Sequence, residues 1–287
     1  MSPDCATGFA VPAGIVQNRA MSQGAAEAPA RQEAGEQIVY EQPLSERMRT
    51  FLRIEFLSRQ AQHHARQPSA WSSRAAMHSL IEILAIVSRG DVRGEVLKDL
   101  ERHTSMLTGF GNRPGVDRSR LDALLKRISQ LREELGACGA NYTQPLKSSE
   151  FLAAIRHRSA IPGGTCEFDL PDFKHWLSLP EAQRYADFQS WFKHLKPLCD
   201  AIGQLLWLTR ESSPGRPELA PGGMFQYQID RSIGCQLVRI TLPAGANYYP
   251  EISGGQHRFT VRFLTWSGPE QRPVQVDGDI HFELTCC

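Results

Sequence analysis

Arginine is the residue type whose spacing in this chain promises recognition chemistry. In Arg47-Met-Arg-Thr-Phe-Leu-Arg-Ile-Glu-Phe-Leu57 the close-set arginines share one helical stretch with Met48, Phe51, Leu52, Phe56 and Leu57. A helix apolar on more than one side belongs in a core or a subunit interface, while guanidinium groups at its edge can face a partner's carboxylates. Arg49 and Arg53 lie four residues apart on one face, with Glu46 or Glu55 placed to neutralise part of their charge. A second group stands in His257-Arg-Phe-Thr-Val-Arg-Phe263, where strand alternation puts Arg258, Thr260 and Arg262 on one face and Phe259, Val261 and Phe263 on the other. The two guanidinium positions are about 13 Å apart at ~3.3 Å per residue, too far to grip one carboxylate and suited to an acidic or extended peptide. A solvated strand face is the ordinary alternative for such arginines. Were the strand to fold back on the first helix, Arg53 would join Arg258 and Arg262 in one basic pocket.

Catalytic readings fail residue by residue. His63-His64 lacks the i,i+4 pairing of a helical metal site, and His78, His103, His157 and His175 have no carboxylate or cysteine at ligand spacing. The run Gly109-Phe-Gly-Asn-Arg-Pro-Gly115 looks like a phosphate loop but follows no strand and lacks the Gly-Lys-Ser/Thr ending, so it reads as a turn. No Gly-x-Ser-x-Gly element occurs, and Cys166 has no identifiable oriented base, which leaves it a packing role. A binding protein without catalytic residues, cofactor or metal is the expectation. Two other classes stand beside it: a nucleic-acid binder using the arginine-rich strand, and a hydrolase using Cys166. A net charge of +1 with no continuous basic stripe disfavours the first, and missing motif context disfavours the second.

Composition bounds the setting. The 287 residues can bury a substantial core, best divided between two domains. Seven cysteines at scattered positions show neither metal-ligand nor disulfide-scaffold spacing, which points to a reducing cytoplasm. The densest apolar run, Leu80 to Val87, is broken by Glu82, so no membrane insertion is expected. Phe9 to Val16 carries Pro12 and Gly14 with no basic residue before it, unlike a secretory leader.

The elements that must position these residues fall into an α+β arrangement: an N-terminal α-helical bundle domain with a discontinuous antiparallel β-domain. Residues 1–39, rich in Ala, Gln, Glu, Gly and Pro, read as a flexible extension. Ser45 caps a first helix; others follow over Ala70–Ser88, over Val92–Leu107 and from an Asp117 cap to Gly136. A short helix lies around Phe151–Ile155, and Cys166-Glu-Phe-Asp-Leu170 alternates as a half-buried strand does. Helical text returns through Tyr185, Phe188, Trp191 and Phe192 and again from Pro197 to Leu208, with Trp176, Trp191 and Trp207 read as core. Ser213–Gly223 reads as a loop, and strands follow at Met224–Ile229, Cys235–Leu242, Phe259–Trp266 and Ile280–Leu284. The expected division is thus 40–160 with 172–212 for the helical domain, and 161–171 with 213–287 for the β-domain.

Several strings combine in order: YEQPLSERMRTFLRIEFL from Tyr40, PGVDRSR from Pro114, IPGGTCEFDLP from Ile161, YPEISGG from Tyr249, RFTVRF from Arg258 and FELTCC at the end. From Tyr40 to Cys287 the chain resembles the ZapD family of bacterial cell-division factors. The resemblance implies a non-enzymatic cytoplasmic homodimer, joined through the helical domain and recruited to the midcell division site. It also implies binding to the C-terminal tail of the tubulin-like GTPase FtsZ, with filament cross-linking, support of the Z-ring and an indirect lowering of GTP turnover. The family's basic tail pocket maps here to Arg53, Arg258 and Arg262, with Lys174 at a further position that the family can make basic. Where the family places a basic residue before IPGG this chain has Ser148-Ser-Glu150, so Arg156 or Arg158 is the substitute.

Overall fold

The computed structural model describes residues 36–111, 113–230 and 234–287. Helix starts are fixed by the side chains in front of them. Strand β1 (Gln37–Pro43) runs into Ser45, whose Oγ accepts from the Met48 amide at 3.2 Å and opens helix α1 (Glu46–Ala65). Ser69 and Asp91 cap α2 (Ala70–Val87) and α3 (Val92–Thr108) in the same way. Asp117 accepts from the Arg120 amide at 3.2 Å at the start of α4 (Arg118–Ala137). The Ser45 and Asp117 caps are those read from the sequence. The short α5 (Gln144–Lys147) precedes α6 (Glu150–Ser159), capped by Ser149. Pro171 then begins α7 (Pro171–Ser178), followed by α8 (Glu181–Phe192) and α9 (Lys196–Arg210). Among the described residues no helix is long and apolar enough to cross a membrane.

One unit of the structure comprises Thr50–Gly111 and Leu121–Leu206 and is helical. Its core draws Phe51 and Ile54 from α1, Met77, Leu80 and Leu84 from α2, Leu100 from α3 and Leu131 from α4, all essentially buried. Arg184, also buried, knits three segments: its guanidinium donates to Ser73 Oγ at 3.0 Å, to the Leu177 and Leu179 carbonyls and to the Pro68 carbonyl. Phe151, Phe173, Trp176 and Trp191 form one aromatic cluster with ring centroids 5.5–6.0 Å apart. Trp176 and Trp191 therefore pack as expected, whereas Trp207 is 41% exposed.

The expected strand at Cys166–Leu170 does not form. Residues 161–169 make successive turns, with Gly164, Cys166 and Leu170 amides donating to Ile161, Gly163 and Cys166 carbonyls. Gly163 adopts φ 71°, and Phe168, whose place in the alternation implied burial, is 87% exposed. The acidic residues that mimicked a strand's polar face instead serve basic neighbours, and the segment lies in the helical unit rather than with the sheets.

The other unit gathers the described residues up to Arg49, which carry β1 and the first residues of α1, residues 113–120, and the chain from Trp207 onward. After α9 come β2 (Arg216–Ala220), a 3₁₀ turn at Pro221–Gly223, β3 (Met224–Gln228), β4 (Leu237–Pro243) and β5 (Tyr248–Gly255). They are followed by β6 (Arg258–Thr265), the two-residue β7 (Val274–Gln275) and β8 (Ile280–Cys286). All pairings are antiparallel: one sheet has the order β1-β4-β8-β2, the other β3-β6-β5 with β7 also on β6. Val238, Ile240, Phe282 and Leu284 of the first sheet share a core with Phe259, Val261 and Phe263 of the second. Residues 37–39, expected in the extension, pair with Thr241–Pro243; residues 1–35 of that extension lie outside the described residues. The stretch expected as loop after Ser213 contains β2, where Pro217 sits on an edge strand.

An ion-pair cluster holds the first sheet. Glu41 on β1 faces Arg239 across the β4 pairing at 3.1 Å and receives the Arg210 guanidinium at 2.8 and 2.9 Å. Burial alone would raise the Glu41 pKa, but hydrogen bonds and charge from Arg210, with Arg239, outweigh it and hold the carboxyl below the usual carboxylate range.

Candidate partner-binding surfaces

Strand β6 is flanked on both sides, so its side chains are held by a full ladder. Phe259, Val261 and Phe263 are buried, and Arg258 and Arg262 are exposed on the opposite face, the alternation read from the sequence. The register puts Gln228, Gln226 and Met224 of β3 beside Arg258, Thr260 and Arg262, and Gly255, Ser253 and Glu251 of β5 on the other flank. The face is a polar ladder with a guanidinium toward each end. Arg262 donates to Glu251 Oε2 through Nε at 3.2 Å and through a second nitrogen, while Gly255 leaves the flank of Arg258 without a side chain. Among the described residues no carboxylate lies within ion-pair distance of Arg258. A cavity of about 740 Å³ lies at this end of the sheet, lined by Gln226, Gln228, Ser253, His257, Arg258 and Thr260. Such a surface can hold an extended anionic chain through charge-assisted hydrogen bonds, with amide and hydroxyl groups between the charges. Glu251, Gln228 and His257 were missed from sequence, because the first two become neighbours of β6 only through pairing.

In the helical unit, Arg53 is exposed on α1 and stands three residues from Phe56, which is 64% exposed. Lys174 on α7 is ion-paired with Glu167, and Arg158 on α6 with Asp169 at 3.3 Å, so both basic groups lean on the 161–169 turns. Arg156 is exposed two residues before Arg158 and so on another side of α6, and Glu150 lies in the first turn of α6, where a carboxylate favours the helix dipole. Lys174 lines a cavity of about 460 Å³ with Trp71, Arg74, Thr165, Cys166 and Glu167. Arg74 is spent on holding that wall: it donates to the Thr165 carbonyl at 2.6 Å and lies over the Phe173 ring at 4.8 Å. Nothing in the local sequence around Trp71 and Arg74 marks them as lining a cavity. Among the described residues no group of three His, Cys, Asp or Glu side chains is arranged to hold a metal ion.

A family model described as "ZapD: Cell division protein" matches residues 52–262. The chain belongs to the ZapD family of cell division proteins. Relatives named cell division protein ZapD include that of Methylococcus capsulatus, 39% identical over 88% of this chain and 98% of its own length. Those of Coxiella burnetii and Escherichia coli are 34% and 36% identical over 87% and 88% of this chain, and 97% and 99% of their own lengths. The ZapD match contains Arg53, Lys174, Arg156, Arg158, Arg258 and Arg262. It supports a role in cell division, and the family is named for that process, not for a reaction.

Proposed function

We propose that this chain is a non-enzymatic homodimer that binds the C-terminal tail of FtsZ, cross-links FtsZ filaments at midcell and lowers GTP turnover only indirectly. The observation that carries this reading is the outer face of β6, a strand laddered on both sides, which carries Arg258 and Arg262 opposite a buried apolar face and at a spacing suited to an extended acidic segment. Membership of a cell-division family supplies the context. Arg53 beside exposed Phe56 adds a cation and an apolar anchor, and Lys174, Arg156 and Arg158 are secondary contacts whose charge Glu167 and Asp169 partly offset. Two tail sites on one dimer tether neighbouring filaments, and many weak tethers add to strong bundling. The protein works in the cytoplasm and is brought to the division site by this binding.

The test is sedimentation and electron microscopy with GTP-assembled FtsZ, run beside FtsZ lacking its tail. Tail-dependent pelleting and bundles are expected, weakening as salt rises because the guanidinium groups are solvent-exposed. Equal pelleting of the tailless protein overturns the tail as the ligand, and absence of pelleting by a folded dimer overturns the partner.

A further inference from the structure

Three cysteines meet where β4 begins and β8 ends. Cys235 belongs to the buried core between the sheets, and Cys286, partly exposed, packs against it; both are free thiols. The backbone fixes their approach: Val238 pairs with Cys286, and Leu237 and Cys287 exchange hydrogen bonds of 3.1 and 2.8 Å. Cys235 turns back towards that ladder, its Sγ donating to the Leu237 carbonyl at 3.7 Å, which brings it to the end of the strand pairing that carries Cys286. The neighbouring Cys287 is also buried.

We propose that Cys286 and Cys235 form an oxidation site, an attacking and a resolving thiol that close to an intramolecular disulfide on exposure to hydrogen peroxide. The two sulfurs are unequal. The hydrogen bond from Cys235 lowers the Cys286 pKa against the opposing effect of burial, and the Arg216 guanidinium lowers it further. The same bond, with burial, pushes Cys235 up, and burial pushes Cys287 up to about 12. Cys286, the partly exposed sulfur of the two, is thus the one that attacks. Its sulfur takes one peroxide oxygen, the O–O bond breaks, and the other oxygen leaves as hydroxide and is protonated to water. The Cys235 sulfur, giving up its proton, then attacks the Cys286 sulfenic acid; the S–O bond breaks and a second water departs. Two thiols supply two electrons, and one peroxide is reduced to two waters. The bridge would staple the start of β4 to the end of β8. Cys235 also lines a cavity of about 570 Å³ with Arg47, Gln236 and His257, so the chemistry lies next to the turn that carries Arg258.

Tandem mass spectrometry of the full chain after brief treatment with hydrogen peroxide and quenching with iodoacetamide tests this. One linkage between Cys235 and Cys286 is expected, lost on adding dithiothreitol, with Cys199 and Cys287 alkylated once the protein is denatured. Without peroxide, native Cys286 should alkylate at least about tenfold faster than Cys287. In Cys235→Ser, Cys286 should advance to sulfinic acid, and in Cys286→Ser, Cys235 should remain a thiol. A Cys286–Cys287 bridge, a disulfide between two molecules, or an unmodified Cys235 in the treated native protein overturns the proposal.

Discussion

Glu251 sets how much positive charge β6 offers. It occupies one of the two guanidinium groups, and as both side chains are about half exposed (49% and 51%), their pairing adds little stability. Glu251→Gln is therefore expected to leave the unfolding midpoint unchanged and to tighten binding of a fluorescent FtsZ-tail peptide by roughly two- to fivefold. Arg258→Glu should weaken the same titration by about tenfold, again without unfolding; unchanged affinity removes β6 from the site. The arginine face was legible because strand alternation needs no knowledge of neighbours, whereas Glu251 lies in Tyr-Tyr-Pro-Glu-Ile-Ser-Gly-Gly, whose Pro and Gly residues mask a strand. The Glu41 cluster is likewise invisible in sequence, since its arginines come from positions 210 and 239. Because the folded Glu41 pKa is depressed, its stabilisation is present above the unfolded carboxylate value near 4.5 and is lost as pH falls through the lower folded value. Glu41→Gln should cost about 1–2 kcal/mol in urea unfolding at pH 7, with the difference from the parent shrinking below that value.

At the scale of elements, the β5–β6 hairpin depends on a residue without a side chain. A Cβ on Gly254 would stand 2.5 Å from the Arg258 carbonyl oxygen and 2.5 Å from Phe259 Cα, both backbone atoms that cannot step aside. Gly254→Ala is expected to cost about 2–4 kcal/mol and to loosen the turn holding Arg258. Circular dichroism melts read the first effect and tail-peptide titration the second. Helices were read well from sequence because caps and apolar periodicity are local; Ser45 and Asp117 act as that reading requires. The turns at 161–169 were misread because apolar and acidic alternation has the same appearance in a strand and in a run of turns whose carboxylates serve Arg158 and Lys174. Strands β1 and β2 were lost for a different reason: both are sheet edges, and neither alternates clearly between buried and exposed positions.

For the whole molecule, the succession of a helical part and then antiparallel sheets was legible in outline, but the first sheet's dependence on the N-terminal strand was not. Removing residues 1–35 is expected to leave the melting temperature unchanged. Removing residues 1–43 deletes β1 and strands Arg210 and Arg239 without Glu41, which should cost more than about 3 kcal/mol. A melt that does not distinguish the two truncations would remove β1 from the account. The pairing of Gln37 with Pro243 also orders events during synthesis. Every residue of the helical unit has left the ribosome before any of β4 has, so β1 emerges among the earliest described residues and must wait through most of translation for its partner strand. Nascent chains stalled short of residue 237 should therefore expose Ile38 and Val39 with no strand to pair them, a stretch that folding helpers would meet before the sheet can close.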